Sequence, residues 1–152
     1  MTTPYRYHVF CCTQRGLDKK DYCRDQGSEE VLAELERQLQ LRGLEQTVEA
    51  TPCGCLGLCA RGPVMVVYPD GVWYASVTLR DVEELVEQHF VKGQPLERLR
   101  LDDVDQLRGE IEREKQRSRA QQAAEQEAGV LPDRLRSLAS DFQAGRAFLS
   151  AV

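Results

Sequence analysis

Residues 53–63, Cys-Gly-Cys-Leu-Gly-Leu-Cys-Ala-Arg-Gly-Pro, run directly into residues 64–77, Val-Met-Val-Val-Tyr-Pro-Asp-Gly-Val-Trp-Tyr-Ala-Ser-Val, and this stretch decides how the chain folds. Residues 63–68 and 72–77 are rich in β-branched and aromatic types and flank Pro69-Asp70-Gly71, a turn signal, so they read as a β-hairpin. Upstream, residues 5–12 read as a strand in which Tyr5, Tyr7 and Val9 alternate with Arg6 and His8. Ser28, Glu29 and Glu30 then open a helical periodicity of Val31, Leu32, Leu35, Leu39 and Leu41 that ends at Gly43. Residues 46–51 form a short candidate strand. Downstream of the hairpin, Thr78 caps a helix whose apolar face is Val82, Leu85, Val86 and Phe90, with Lys92 and Gly93 at its end.

Two consecutive strands joined by a helix require a crossover and lie parallel, whereas the hairpin is antiparallel. The order therefore predicts an α/β thioredoxin-like sandwich, a mixed four-stranded sheet with two helices, followed by a helical C-terminal extension. Composition divides the chain of 152 residues near Pro95. Residues 1–96 hold all six cysteines, the single Trp and all five Tyr, the material of a packed domain. Residues 97–152 hold ten basic and eleven acidic residues and no cysteine. In this extension Val104, Leu107 and Ile111 give one apolar stripe, which then stops. Residues 112–126 carry no large apolar side chain and predict a solvated helix supported by pairs such as Glu110 with Arg113 and Glu112 with Lys115. Gly129 and Pro132 break it, and a last amphipathic segment presents Leu135, Leu138, Phe142 and Leu149. Residues 131–152 loosely resemble the opening helix of the dimerisation domain of small-molecule O-methyltransferases, which implies either docking on another helical surface or a remnant of a fusion.

The net charge of −5 and pI near 5.1 argue against a nucleic-acid partner and suit basic docking sites. The first residues lack a charged region followed by an apolar run, and no stretch reaches membrane-spanning length, so a cytoplasmic location is expected. In a reducing compartment, cysteines hold metals or do redox chemistry more often than they staple a fold.

Four of the six cysteines fall into two groups beside loops: Cys12 and Cys23, with ten residues between them, and Cys55 and Cys59, with three between them. A [2Fe–2S] cluster needs four thiolates, two on each iron. Gly54, Gly57 and Gly62 let the backbone approach such a cluster and turn N–H groups toward its sulfurs, which tunes its potential. The segments His8-Val-Phe-Cys-Cys12-Thr, Cys23, Gly27-Ser-Glu-Glu-Val31, Cys55-Leu-Gly-Leu-Cys59, Gly62-Pro63, residues 66–74, Val77-Thr78 and Asp81-Val-Glu-Glu-Leu85 together resemble the thioredoxin-like, or Shethna-type, [2Fe–2S] ferredoxins over residues 5–97. The Cys55-Leu-Gly-Leu-Cys59 segment and the hairpin also resemble the ferredoxin-like [2Fe–2S] subunit of respiratory complex I, whose first cysteine pair is more closely spaced.

The resemblance implies a one-electron carrier, a homodimer, with its cluster near the surface on two loops and Cys12, Cys23, Cys55 and Cys59 as ligands. The implied partners are redox proteins, a reductase or a low-potential acceptor, nitrogen fixation being one pathway in which such ferredoxins serve. Cys11, one strand position before Cys12, points to the opposite face as a small buried hydrophobe. Cys53, two residues before Cys55, is the alternative ligand. His8 and His89 lie outside any Rieske-like spacing. Trp73 and Tyr74 read as packing residues, and Arg61 either biases the cluster by its charge or is simply solvated. The mixed charges from Arg15 to Asp25 form either a docking surface or a solvated loop. Two competing functions use the same thiols. A structural zinc module is opposed by the ten-residue gap, and a thiol–disulfide protein is opposed by the absence of Cys-x-x-Cys. With no nucleophile elbow, phosphate loop or zinc-protease motif, no enzymatic turnover is expected.

Overall fold

The strand order is β2-β1-β3-β4 in one four-stranded sheet, seen in a computed structural model that describes residues 4–14 and 22–127. The strands are β1, Tyr7–Cys12; β2, Val48–Cys53; β3, Met65–Tyr68; and β4, Val72–Tyr74. β1 pairs parallel to β2, with Tyr7 opposite Val48 and Cys12 opposite Cys53, and antiparallel to β3, with Cys11 opposite Met65. The sheet is thus mixed, as the crossover argument requires. Gly71 closes the β3–β4 hairpin at φ +67°, a conformation open to glycine.

Helix α1, Ser28–Leu41, provides the β1–β2 crossover. Its buried stripe is Val31, Leu32, Leu35 and Leu39, each worth about 1.5–3 kcal/mol when fully covered. Leu41 does not join it; that side chain is 67% exposed, because it lies about 200° round the helix from Leu39. Ser28 is the first helical residue rather than the cap, and Gly27, at φ +89°, precedes it. Helix α2 begins at Leu79 and continues without a break through a π-helical turn to Val91. Both helices pack on one face of the sheet: Val31, Leu35, Leu39, Val82, Leu85, Val86 and Phe90 share a core with Tyr7, Val9, Cys11, Val48, Met65, Val67 and Tyr74.

The opposite face is different. His8 and Phe10 stack with ring centroids 4.2 Å apart, and Phe10 meets Tyr68 edge-on at 6.1 Å. Near the ends of β1 and β4, a second apolar cluster gathers Cys12, Cys23, Leu58 and Val64, with Leu56, Trp73, Leu101, Leu107 and Ile111 packed against it.

Helix α3, Val104–Glu127, starts in one compact unit, Met1–Glu112, and ends in a second, Arg113–Val152. In the first unit Asp103 accepts the N–H of Gln106 at 2.8 Å and so caps α3. Leu107 and Ile111 of the expected stripe pack inward, but Val104 is 55% exposed. Glu110 is engaged by Arg61 and Gln106 rather than by Arg113. In the second unit the described helix carries an Arg117–Glu114 pair at 3.2 Å. The amphipathic segment beginning at Asp133 and the charged loop from Arg15 to Asp21 lie outside the described residues.

Candidate iron–sulfur site

Cys12 ends β1, and alternation along the strand decides its role. Cys11 faces the main core at 2% exposure, while Cys12, at 1%, faces the second cluster. Burial pushes the Cys11 thiol up to about 12, which keeps it a neutral hydrophobe. Cys23 opens the short 3-10 turn Arg24–Gln26 that leads into α1. Cys55 and Cys59 stand on the loop after β2, Cys59 beginning a second 3-10 turn, Cys59–Arg61.

These two loops meet. The thiols of Cys23 and Cys55 act electrostatically on Cys12, and Cys55 lies 3.1 Å from Cys59, sulfur to sulfur. The contacts form a chain, Cys23, Cys12, Cys55, Cys59. The thiols of Cys23 and Cys55, aided by backbone donors at Gln14 and Leu56, hold the Cys12 thiol down to about 3. The reciprocal effect raises Cys23 and Cys55, each serving as a donor to its neighbours. Metal binding would release the protons that the thiols carry. Cys59 is further fixed from the first loop, since Gln26 Nε2 donates to its carbonyl at 2.8 Å.

Glycines make the approach possible. The Gly57 N–H reaches Cys55 Sγ at 3.2 Å, with Gly57 at φ +85°, a conformation that other residues rarely adopt. A Cβ on Gly62 would stand 2.8 Å from Cys23 Sγ. Among the described residues no group of three or more Cys, His, Asp or Glu surrounds a single point that would hold one metal ion. Four thiols brought together from two loops, with an N–H donor at a sulfur, match the donor set that a [2Fe–2S] cluster requires. Cys12, Cys23 and Cys59 are buried and Cys55 is exposed, so the assembly has one edge at the surface.

The remaining cysteine and the histidines stand apart. Cys53 is half-buried opposite Cys12 on β2, and burial followed by the nearby Cys12 charge pushes its thiol up to about 11. His8 bonds Thr51 at 2.8 Å, and His89 is fully buried between Tyr74 and Asp70. Trp73 packs in the second cluster and Tyr74 is wholly buried, as packing residues should be. Two elements of the site had no legible sequence signal: the Gln26 bridge between the loops and the Arg61–Glu110 pair at 2.6 Å.

A thioredoxin-like layer that presents four cysteines from two loops defines an iron–sulfur electron-transfer protein. The family model for thioredoxin-like [2Fe–2S] ferredoxins matches residues 5–89, and the chain belongs to that family. It is 40% identical over 98 residues to the 2Fe-2S ferredoxin of Clostridium pasteurianum, covering 63% of this chain and 96% of that one. It is 44% identical over 95 residues to the 2Fe-2S ferredoxin of Aquifex aeolicus, covering 60% and 86%. The crystal structure of the wild-type thioredoxin-like [2Fe–2S] ferredoxin from Aquifex aeolicus aligns with a TM-score of 0.61 at 42% identity, over 65% of this chain and 99% of that one. The protein is accordingly a [2Fe–2S] electron carrier, and neither a zinc module nor a thiol–disulfide protein is favoured.

Proposed function

We propose that Cys12, Cys23, Cys55 and Cys59 are the four ligands, Cys12 with Cys23 at one end and Cys55 with Cys59 at the other. The observation that carries this reading is the continuous chain of contacts among these four thiols, with backbone N–H groups at Gln14, Leu56 and Gly57 serving their sulfurs. When bound, the cluster accepts and gives up one electron. The chain's own residues do the rest. The N–H donors stabilise negative charge on the sulfurs, the buried cysteines exclude water, and exposed Cys55 marks the edge where a partner's redox centre comes near. No proton moves and no substrate pocket is required, so the protein has no turnover of its own.

The partners are redox proteins with basic docking surfaces, a reductase or a low-potential acceptor, attracted by the net charge of −5. Residues 1–96 act as the ferredoxin domain and residues 97–152 as its appended extension, and the protein works in the cytoplasm. It works as a homodimer through the face of the sheet opposite α1 and α2, where Tyr68 is 48% exposed beside Phe10 and His8. Among the described residues no helix is long and apolar enough to cross a membrane.

The deciding experiment is purification without air followed by visible and EPR spectra with iron and sulfide analysis. About two irons and two sulfides per chain, with absorbance that bleaches on reduction, are expected. Retention of that spectrum in Cys55→Ser would overturn the ligand assignment.

A further inference from the structure

We infer that residues 99–111 form a strap that holds the cluster loop closed, with Glu110 and Ile111 as its positioning residues. The inference rests on the ligand reading above and adds to it a part of the chain beyond the family match, which ends at residue 89.

The strap is anchored at its start by the sheet. Ala75 N–H bonds the carbonyl of Leu99 at 3.2 Å, Leu101 N–H bonds that of Trp73 at 2.9 Å, and Arg100 bridges antiparallel to Tyr74. Asp103 then caps α3, which fixes where the helix begins. Leu107 and Ile111, one turn apart, consequently fall on the same side of α3 and join the cluster of Cys12, Cys23, Leu58 and Val64.

At the end of the strap, two adjacent residues grip both flanks of Cys59. Ile111 Cγ2 lies 3.0 Å from the point where a Cβ on Gly57 would stand, so the isoleucine backs the peptide whose N–H serves Cys55 Sγ. Glu110 binds Arg61 at 2.6 Å, at the end of the 3-10 turn that Cys59 begins, and Gln106 Nε2 steadies the same carboxylate at 2.9 Å. The loop from Gly57 to Arg61 therefore has little room to swing outward while α3 stays in place. Cys55 already stands at the surface, but local opening that would expose the buried Cys59 to chelator or to alkylating reagent requires the strap to lift first.

The test uses the full-length protein. In the cluster-loaded form, decay of visible absorbance in excess EDTA reports loop opening. Ile111→Asp should accelerate the decay about tenfold, Glu110→Gln by about threefold, and Ile111→Val should restore it to within about twofold of the parent. In the metal-free form, iodoacetamide labelling of the buried Cys59 should follow the same order, while exposed Cys55 labels at the parent rate throughout. Unchanged rates in both Ile111→Asp and Glu110→Gln would overturn the strap. If Ile111→Asp fails to fold, Glu110→Gln decides, since it keeps the size of the side chain. Parent protein that never retains iron and sulfide would defeat the ligand reading alone, and the labelling rates would then still support or overturn the strap.

Discussion

Gly62 lies against Cys23 so closely that a Cβ on the glycine would stand 2.8 Å from the sulfur and 3.0 Å from the Cα of Cys23. The backbone at Gly62 is ordinary, with φ −66° and ψ 162°, so any residue could adopt it. The need for glycine is purely one of space between the two cysteine loops. Gly62→Ala should therefore displace Cys23, destabilise the fold by about 1–3 kcal/mol through overpacking, and lower iron retention. Normal iron content together with an unchanged melting curve would contradict this contact.

The cysteines separate into two populations by the face they occupy. Serine at Cys12, Cys23, Cys55 or Cys59 should shift or abolish the visible spectrum. Cys11→Ser should leave the spectrum intact while costing about 1–3 kcal/mol, because a hydroxyl replaces a thiol in the apolar core. Cys53→Ser should also keep the parent spectrum, since Cys53 lies opposite Cys12 on the neighbouring strand and outside the thiol chain. A changed spectrum in Cys53→Ser would make that residue the ligand instead.

Much of this architecture was legible from local chemistry. Alternation along the strand places Cys11 and Cys12 on opposite faces, and Pro69-Asp70-Gly71 between β-rich runs locates the hairpin. What the sequence pattern missed depends on contacts between distant segments. Glu110 had an obvious partner three residues away in Arg113, yet it bonds Arg61, 49 residues back, because the cap at Asp103 aims that side of α3 at the loop. Leu41 belongs to the same helix and is nonetheless exposed, because it stands two positions past Leu39, about 200° round the helix from that buried side chain. Periodicity shows that a face is apolar without showing what covers it.

Arg61 and Glu110 form a neutral pair beside Cys59, so removing either charge leaves the other uncompensated. A unit charge about 10 Å away at an effective dielectric of ~20 is worth about 1.7 kcal/mol. Solvent screening reduces this to a shift of about 20–70 mV in a one-electron potential. Reduction adds negative charge, so Glu110→Gln should raise the midpoint potential and Arg61→Gln should lower it, as read by spectroelectrochemical titration. Shifts of the same sign in both variants would show that structure rather than charge is responsible.

The core holds a second polar chain that has nothing to do with the thiols. Leu96 N–H donates to Tyr74 Oη at 2.9 Å, so the phenol directs its own proton to His89 Nδ1 at 2.8 Å, and His89 Nε2–H then donates to Asp70 at 3.0 Å. Every polar atom in the chain is satisfied in that one tautomer. Burial pushes the Tyr74 phenol up to about 12, so it remains a donor over the working pH range. Tyr74→Phe should leave Leu96 N–H and His89 Nδ1 unpaired and cost about 1–3 kcal/mol in denaturant unfolding, with the visible spectrum unchanged.

Acid should weaken the protein partly through Asp81. Burial pushes its carboxyl up, but the Thr78 hydroxyl at 2.6 Å, the Thr78 N–H at 2.7 Å and Arg98 at 2.6 Å outweigh it, and the carboxyl ends below its ordinary value. A carboxyl held down in the folded state stabilises the fold fully above its unfolded value, about 4, and that contribution is lost as pH falls through the folded value. Asp81→Asn should therefore cost about 1 kcal/mol at pH 7, the usual worth of a helix cap, and progressively less below pH ~4. Urea unfolding of the two proteins at a series of pH values measures this directly. A difference that stayed constant into acid would mean that Asp81 contributes through its shape and not through its charge.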